Sequence, residues 1–511
     1  MAMRIGVIGA GFGGLTCARV FRSMGHDVLL YEKEGDVGGV WSASRRYPGL
    51  TTQNPKRTYE LSDFPMPEEY PEWPSGEQVQ AYMQAYVEHF GLDSVIKLNC
   101  EVKRVSYDEQ RQRWRIESQT LSEGGVAEDD LAEYDYLIVA NGIFSIPFVP
   151  DYPGVESFVA AGGTVCHTSE FTQVEDARDK HVLVVGYGKS SCDMAMGVAD
   201  IAASTAVVAR HLIWKLPKWI GGKLNYKHLF LTRLSEALFR YVDLRGMDRF
   251  FHTWGNPLRQ GMLNSVEWII ERQLGLRRLG LHPGVPLETI ARSTVSLVTD
   301  GFYEAIAGKR IALHKHTEIV ALEPGRAILS NGDSVPADLV VCGTGWQQRC
   351  DFLDDSVLSK VTDEQGNFRL FRSMIPVDVP GLAFSGYNSS FFSQLNCEMG
   401  AIWLADFLHG GFRLPSAREQ NADIDQRLAW MEHRTGGKHS KGTNIIPFSI
   451  HHIDELLGDM GMNVGFGRRF VQWFGALQPR VYGDVLPRVK AKHQRKPAEH
   501  SLSGHLERGS L

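Results

Sequence analysis

Apolar runs that end in glycine-rich turns define the first part of the chain. The run Arg4–Ile8 leads into the GxGxxG motif of Gly9–Gly14, and an amphipathic segment follows as far as Met24. A second apolar run, Val28–Tyr31, ends at Glu32. Short, continuously apolar runs are typical of buried parallel strands, and an amphipathic segment between two of them is typical of a crossover helix. The pattern therefore predicts a βαβ unit in this stretch.

The same pattern returns in the middle of the chain. The apolar run His181–Val185 leads into Gly186–Ser191, which reads GxGxxS, and a helix is predicted over Ser190–Ala199. The next apolar run, Ile201–Ala209, ends at Arg210–His211. This is a second predicted βαβ unit, in which a small serine replaces the third glycine.

The sequence between the two units contains one irregular stretch and several regular ones. Arg45–Gly76 contains six prolines, which argue against a regular helix and against most strand pairing, so a long loop that lines a site is predicted. A helix is predicted over Glu77–Phe90, where apolar side chains recur every three or four residues. Antiparallel strands are predicted over Val95–Val105 and Trp114–Glu117, and a buried parallel strand over Tyr136–Gly142.

After the second unit the pattern changes to helices and aromatic side chains. Trp214–Leu281 is predicted to be a helical insertion that forms either the wall of a hydrophobic substrate tunnel or an ordinary packed subdomain. Basic and aromatic residues alternate over Arg210–Arg233, which leaves open a membrane-surface contact or an exposed basic rim. Strands are predicted over Ile311–Val341, a helix over Asn396–His409, and a disordered polar tail from Lys490.

Composition and charge narrow the class of protein. The chain has 511 residues, of which 43% are hydrophobic and 22% charged, as in soluble globular proteins of two or three domains. The formal net charge of -6 gives no reason to expect nucleic acid as a partner. The seven cysteines are scattered without a CxxC pair, which favours reduced thiols over disulfides or a metal site. No signal peptide or long apolar run is visible, so a cytoplasmic protein without a transmembrane anchor is expected.

The two turns carry the chemistry of dinucleotide binding. Glycines at these positions allow a tight turn and let the backbone approach a pyrophosphate, while the following helix directs unpaired N–H groups at it. Glu32 stands where an acid accepts a hydrogen bond from a ribose hydroxyl, whereas Arg210 can pair with a 2′-phosphate. The second unit is therefore expected to prefer NADPH, the alternative being that Arg210 is a solvated loop arginine. Together the two units indicate a flavoprotein that takes hydride from NADPH.

Several motifs in a fixed order give this chain a family resemblance. One is Ala161-x-Gly163-x-x-x-His167-x-x-x-Phe171. The others are Gly9–Gly14, Glu32, Gly38–Trp41, Asn54–Lys56, Ser62–Pro65, Gly186–Ser191 and Leu339–Gly345. Together they resemble the flavin-containing monooxygenases, whose identifying motif is FxGxxxHxxx(Y/F), here with alanine at the leading position. Related Baeyer–Villiger monooxygenases usually carry tryptophan where this chain has Phe171, which favours oxygenation of a heteroatom.

The resemblance implies roles for individual residues. It implies an enzyme that reduces FAD with NADPH, forms a C4a-hydroperoxyflavin with O2, and oxygenates the nitrogen of an amine or the sulfur of a sulfide in a small hydrophobic substrate. Asn54 matches an asparagine that positions the oxygen and the nicotinamide, although an Asx turn before proline is its other interpretation. His167 is expected to brace the hinge between domains. The residues implied to hold the cofactors, besides Asn54, are Gly9, Gly11, Phe12, Gly13, Gly14, Glu32, Lys33, Gly39, Val40 and Trp41 for FAD, Gly186, Gly188, Lys189, Ser190, Ser191 and Arg210 for NADPH, and Thr344 and Gly345 in the return to the flavin domain.

The predicted fold class is α/β, with two Rossmann-like dinucleotide-binding domains, for FAD and NADP, and a helical insertion. Residues 1–155 and 326–450 are predicted to form the FAD-binding domain, 156–325 the NADP-binding domain with the insertion at about 214–281, and 451–511 a C-terminal extension. Baeyer–Villiger oxygenation of a ketone and N-hydroxylation in a biosynthetic pathway are alternative activities. A flavin-dependent dithiol reductase and a non-catalytic nucleotide-binding regulator are alternatives of other classes. A homo-oligomer such as a dimer is expected, and peripheral membrane contact is left open.

Overall fold

Two five-stranded parallel sheets form the framework of the protein in a computed structural model, which describes residues 2–121, 127–292, 296–438 and 441–494. The first sheet has the strand order β22 (Leu382–Phe384), β7 (Tyr136–Val139), β1 (Arg4–Ile8), β2 (Asp27–Tyr31) and β3 (Ile96–Lys97). The second has the order β16 (Ile311–Lys315), β11 (Ser204–Ala209), β10 (His181–Val185), β20 (Leu339–Cys342) and β9 (Thr164–His167). The predicted α/β fold with two parallel-sheet units is therefore confirmed.

Antiparallel strands form smaller sheets. They are β4 (Cys100–Asp108), β5 (Arg113–Leu121) and β6 (Ala127–Tyr134) in one sheet, β17 (Ile319–Glu323), β18 (Arg326–Leu329) and β19 (Ser334–Pro336) in another, and the pair β13 (Trp219–Ile220) and β14 (Leu224–Asn225). The strand predicted over Val95–Val105 is in fact two strands, β3 and β4. The chain turns at Asn99, whose φ of +52° lies in the left-handed region.

Helices cover both sheets and build the insertion. They are α1 (Phe12–Ser23), α2 (Lys56–Tyr59), α3 (Gly76–His89), α4 (Val155–Ala160), α5 (Lys189–Val198), α6 (Lys227–Phe230), α7 (Arg233–Ala237), α8 (Gly246–Phe251), α9 (Asn256–Leu274), α10 (Leu276–Leu279), α11 (Phe302–Ala307), α12 (Asp355–Val361), α13 (Ser393–Leu408), α14 (Ala417–Thr435), α15 (Ser449–Met460), α16 (Phe466–Phe474) and α17 (Val485–Gln494). The short helix α2 corrects the prediction of a wholly irregular proline-rich loop. It fits because the prolines flank Lys56–Tyr59 and do not interrupt it.

Helix α13 anchors the first parallel sheet to the proline-rich loop. It packs against α1 and is buried from Gln394 to Asp406. Its one buried glutamate, Glu398, accepts hydrogen bonds from the backbone N–H of Ser62 at 2.8 Å and from its hydroxyl at 2.6 Å. Because an unpaired buried carboxylate would be costly, this contact holds the loop at a defined place on the helix.

Two short paired segments connect the two sheets. The outgoing segment β8 (Ile146–Pro147) runs antiparallel to the returning segment β21 (Trp346–Gln347). The predicted return at 326 is therefore too early, since β20 still belongs to the second sheet and β17 to β19 share a buried core with it. The sequence of those strands gave no sign of which sheet they would cover.

The structure also corrects the predicted bounds of the insertion and of the C-terminal tail. The pair β12 (Lys215–Leu216) and β15 (Ser296–Leu297) frames the insertion, which also contains the β13–β14 hairpin besides its helices. The tail predicted to be disordered from Lys490 begins within α17, whose apolar side chains Val485, Leu486 and Val489 are buried. Residues 495–511, to which that prediction also applies, lie outside the described residues.

Candidate functional site

A cavity of about 980 Å³ lies at the carboxyl ends of the central strands of both parallel sheets. Its walls include Gly11 from the first glycine-rich turn, Gly188 from the second, and Gly345 from the returning segment. Glu32 and Asn54 also line it. Ligands of open parallel sheets bind at this edge, so the position of the cavity fits dinucleotide cofactors.

The first turn is shaped for close approach of a pyrophosphate. Gly9 has a φ of +104°, and a Cβ on Gly14 would lie 1.8 Å from the carbonyl oxygen of Gly9. Helix α1 begins after Gly11, which as a glycine has no side chain to cap the helix N-terminus. The first N–H groups of a helix have no partner within it, so those of Phe12 and Gly13, which line the cavity, can bind an anion there. These residues fit the diphosphate of FAD.

Glu32 is held at the end of β2 by backbone donors. It is 7% exposed, and its carboxylate accepts hydrogen bonds from the N–H of Ala10 at 2.7 Å and of Glu34 at 3.0 Å. Burial raises the pKa of Glu32, and the two N–H donors oppose that rise. Lys33, also predicted to contact FAD, lines the cavity with a half-exposed side chain 3.9 Å from Glu34.

A tight turn over Gly39–Trp41 forms the cavity wall opposite the first glycine-rich turn. Gly38 and Gly39 have φ values of +147° and +58°, which favour glycine at both positions. The Cα atoms of Gly39 and Gly11 face each other, since a Cβ on Gly39 would lie 3.2 Å from the Cα of Gly11. The Trp41 ring packs edge-on against Tyr59 at 5.8 Å, so the turn is fixed against the proline-rich loop.

The second turn has the same geometry with one substitution. Gly186 has a φ of +112°, and helix α5 begins after Gly188 without a side-chain cap. Ser191 is fully buried and donates a hydrogen bond to the carbonyl oxygen of Gly343 at 3.3 Å. A Cβ on Gly343 would lie 2.1 Å from the Ser191 hydroxyl oxygen. Ser191 therefore fits at this position because its neighbour, Gly343 at the end of β20, has no side chain.

Lys189 and Ser190 open helix α5 on the cavity side, but the charge of Lys189 is already neutralised. Its ammonium donates to Asp193 at 2.6 Å, and both side chains are less than one tenth exposed. Asp193 also accepts a hydrogen bond from Thr299 at 2.5 Å. Phosphate contacts in this turn would thus come from the backbone and Ser190, while Lys189 stabilises the start of the helix through its ion pair with Asp193.

Arg210 lies beyond the end of β11 and outside the cavity wall. Its side chain is 71% exposed, and its guanidinium lies 3.6 Å from Glu318. The pKa of the neighbouring His211 is lowered by burial and also by the positive charges of Lys438, Arg210 and His316. This local excess of cations would attract an anion such as a 2′-phosphate.

Asn54 connects three parts of the chain. It is 3% exposed, and its side-chain amide donates to the carbonyl oxygen of Phe391 at 2.6 Å. The hydroxyl of Tyr226, from the insertion, lies 3.2 Å from the amide oxygen of Asn54 and 2.7 Å from the carbonyl oxygen of Gln53. The Asn54 side chain is therefore oriented by tertiary partners and not by a local Asx turn.

His167 and the returning segment meet beside the crossing between the sheets. His167 is buried at the end of β9, 2.8 Å from the hydroxyl of Ser169, and its ring packs edge-on against Trp346 at 4.7 Å. Burial lowers the pKa of His167. Thr344 donates to the carbonyl oxygen of Phe148, so it joins the two crossings and does not face the main cavity. The bracing role expected of His167 stays a prediction.

Sequence reasoning missed several residues that line or support the site. Arg45 packs over the Trp346 ring at 4.8 Å, and Val102 reaches the cavity from β4. Tyr226 had no sequence signal at all, because only the folded insertion brings it to Asn54. The polar and aromatic stretch Asn388–Asn396, whose orientation the sequence left open, supplies cavity-lining residues that include Phe391.

The cysteines of the protein are unpaired thiols. All seven cysteines are free, and burial raises the pKa of Cys17 and of Cys397 to about 12, so both are thiols at neutral pH. Within the described ranges, no group of three or more potential ligands is arranged to hold a metal ion. No helix in that part of the chain is long and apolar enough to cross a membrane.

Comparison with known proteins gives one family and several relatives. The model of the flavin-binding monooxygenase-like family matches residues 2–465. The chain is 25% identical to "Probable flavin-containing monooxygenase 1" of Arabidopsis thaliana over 498 residues, which cover 90% of this chain and 92% of that protein. It is 26% identical to "Dimethylaniline monooxygenase [N-oxide-forming] 2" of Rattus norvegicus, with 91% of this chain and 84% of that protein covered.

A solved structure has the same fold. The structure titled "Crystal Structure of OTEMO complex with FAD and NADP (form 3)" superposes with a TM-score of 0.67 at 16% identity, covering 90% of this chain and 98% of that one.

Proposed function

This chain belongs to the flavin-binding monooxygenase-like family, and from that premise we propose that it oxygenates the nitrogen of an amine or the sulfur of a sulfide in a small hydrophobic substrate. The protein is a flavin-dependent monooxygenase with FAD and NADPH as its cofactors. When bound, NADPH supplies the hydride and FAD activates O2. The assignment of each turn to one cofactor and the class of substrate are the parts that we propose.

The observation that carries the proposal is the fixed amide of Asn54 in the wall of a cavity shared by both turns. An amide offers two donors and an acceptor without changing charge, so it can orient a reacting oxygen and a nicotinamide but cannot take a proton at neutral pH. Its contacts with Tyr226 and Phe391 limit its rotation. Asn54 would thus act by orientation, with its geometry set before the cofactors bind.

The other residues have supporting roles in this proposal. Glu32 would accept a hydrogen bond from a ribose hydroxyl of FAD, and the uncapped N-termini of α1 and α5 would hold the two diphosphates. Arg210 would pair with the 2′-phosphate of NADPH. Trp41 and Tyr59 would exclude water from the flavin side, which protects the activated oxygen from loss as hydrogen peroxide.

The preference for a soft nucleophile rests on the chemistry of the cavity wall. An amine nitrogen or a sulfide sulfur already carries the electron pair that attacks oxygen, so no residue has to remove a proton from the substrate. His167 suits this reaction because its lowered pKa keeps it neutral and its ring is committed to Ser169 and Trp346. Apolar side chains in the cavity wall, among them Ile213 and Phe391, favour a hydrophobic substrate. The N-oxide-forming rat relative supports the same class.

The experiment compares three substrates of similar size that differ in the functional group to be oxygenated. The FAD-loaded enzyme is supplied with NADPH, O2 and a thioether, a tertiary amine or a cyclic ketone of matched carbon number, and products are identified by mass spectrometry. We expect the sulfoxide or the N-oxide and no lactone. Formation of the lactone alone would overturn the proposed substrate class while leaving the monooxygenase assignment intact.

A further inference from the structure

Helix α16 exposes its apolar side chains and turns Gln472 toward the protein. Phe466 is 86% exposed, Phe470 58%, Val471 67% and Phe474 66%, whereas Gln472 is 3% exposed. A surface helix of a soluble protein normally packs its apolar stripe on the core. The apolar face of α16, formed by these three phenylalanines and the valine, is therefore oriented to be covered by something other than water.

Polar contacts hold the helix in this inverted orientation. The side-chain oxygen of Gln472 accepts a hydrogen bond from Arg233 at 2.8 Å. Asp454 pairs with Arg233 at 2.5 Å and with Arg469 of the helix at 2.9 Å. Arg468 lies 3.7 Å from Asp484 on the following segment. Because α16 is attached through its polar side, its apolar face cannot turn inward without breaking these ion pairs.

The size of the apolar face favours a lipid surface over a protein partner. Three phenylalanines and one valine at these exposures present roughly 500 Å² of apolar surface, given the ~200 Å² of a phenylalanine side chain. A stable protein–protein interface needs about 800 Å² from each partner. A short amphipathic helix, by contrast, binds a membrane by sinking a few large apolar side chains into the boundary between headgroups and acyl chains.

The charge around α16 fits an anionic surface. Residues 460–494 contain six lysines and arginines and one acidic residue, in a chain whose net charge is -6. The exposed guanidinium groups of Arg468 and Arg469 flank the apolar face, and Arg469 shares its acidic partner with Arg233. The local charge is therefore positive, as in helices that bind anionic lipid headgroups.

We propose that α16 docks this protein on the surface of an anionic membrane. The three phenylalanines would enter the acyl boundary while Arg468 and Arg469 lie at the level of the lipid phosphates. At nine residues the helix is too short to span a bilayer, so the contact would be peripheral. This surface is distinct from the Arg210–Arg233 stretch in which the sequence left a membrane contact open.

The test is sedimentation of the FAD-loaded full chain with vesicles of phosphatidylcholine, alone or mixed equally with phosphatidylserine. We expect the protein to sediment with the mixed vesicles and to be released by high salt. The triple variant Phe466→Ser, Phe470→Ser, Phe474→Ser should bind at least tenfold more weakly, since each buried phenylalanine is worth about tenfold in partitioning. Leu131→Ser, which removes a 60% exposed side chain from β6, is the matched control and should bind like the wild type.

Each other outcome overturns the proposal in a distinguishable way. Absence of wild-type binding to mixed vesicles, with FAD content and thermal unfolding intact, would remove the membrane role. Equal binding of the wild type and the triple variant would move the contact elsewhere on the protein. A concentration-dependent dimer that the triple variant abolishes, without vesicle binding, would identify a second copy of the chain as the occupant. None of these results depends on the substrate of the enzyme.

Discussion

Replacement of Tyr226 by phenylalanine tests the proposed orientation of Asn54 without touching Asn54 itself. The Tyr226 hydroxyl lies 2.7 Å from the carbonyl oxygen of Gln53 and 3.2 Å from the amide oxygen of Asn54, and the residue is 1% exposed. Tyr226→Phe keeps the ring, so no large cavity forms. It removes only the donor that both acceptors share.

The magnitude follows from burial. Loss of a hydrogen-bond donor that leaves a buried acceptor unpaired costs about 1–3 kcal/mol. The free energy of unfolding should fall by an amount in this range. The same loss lowers the fraction of Asn54 amides in the productive orientation by roughly tenfold for each 1.4 kcal/mol. We therefore expect several-fold more hydrogen peroxide per NADPH consumed, with unchanged FAD content.

The assay measures NADPH oxidation, hydrogen peroxide and oxygenated product in the same reaction. Asn54→Ala should show the same uncoupling more strongly, and adding Tyr226→Phe to it should change coupling little further, because both act through one amide. The control is Tyr303→Phe, a buried tyrosine whose hydroxyl meets Tyr187 at 3.4 Å outside the cavity wall. If Tyr226→Phe loses stability as Tyr303→Phe does but keeps wild-type coupling, the proposed role of Asn54 is refuted.

Three further predictions concern the two turns and one buried ion pair. Arg210→Ala should raise the KM for NADPH about tenfold or more and leave that for NADH unchanged, because only NADPH carries the 2′-phosphate; equal effects in steady-state kinetics would remove Arg210 from that role. Gly14→Ala should yield protein without FAD, since the new Cβ would lie 1.8 Å from a carbonyl oxygen, whereas Gly261→Ala in α9, where the Cβ meets open space, should keep full flavin absorbance. Burial lowers the pKa of His451, but the hydrogen bonds to Asp248 and Glu236 outweigh this effect and raise the pKa to about 10. The contribution of His451 to the free energy of unfolding is therefore complete below about pH 6.5 and is lost as the pH rises through 10. In denaturant titrations, the free energy of unfolding of the wild type should fall over that interval, whereas that of His451→Gln should not.

The sequence was informative where a function depends on a short local pattern. A strand, a glycine turn and a helix follow one another within a few residues, because the tight turn and the helix N-terminus are built from neighbouring backbone. For that reason Gly9–Gly14, Glu32 and Gly186–Ser191 could be located before the fold was known. The family resemblance then added a role for Asn54 that its own neighbourhood, a proline and a polar loop, would not have suggested.

Only the tertiary structure decided which distant segments meet. Asn54 is held by partners 172 and 337 residues away, and no periodicity in the sequence relates such positions. The orientation of α16 is a second case, since the same amphipathic pattern would have predicted a buried apolar face. Local propensity and turn chemistry act over a few residues, whereas burial, ion pairing and the crossing between the sheets depend on the packing of the whole chain.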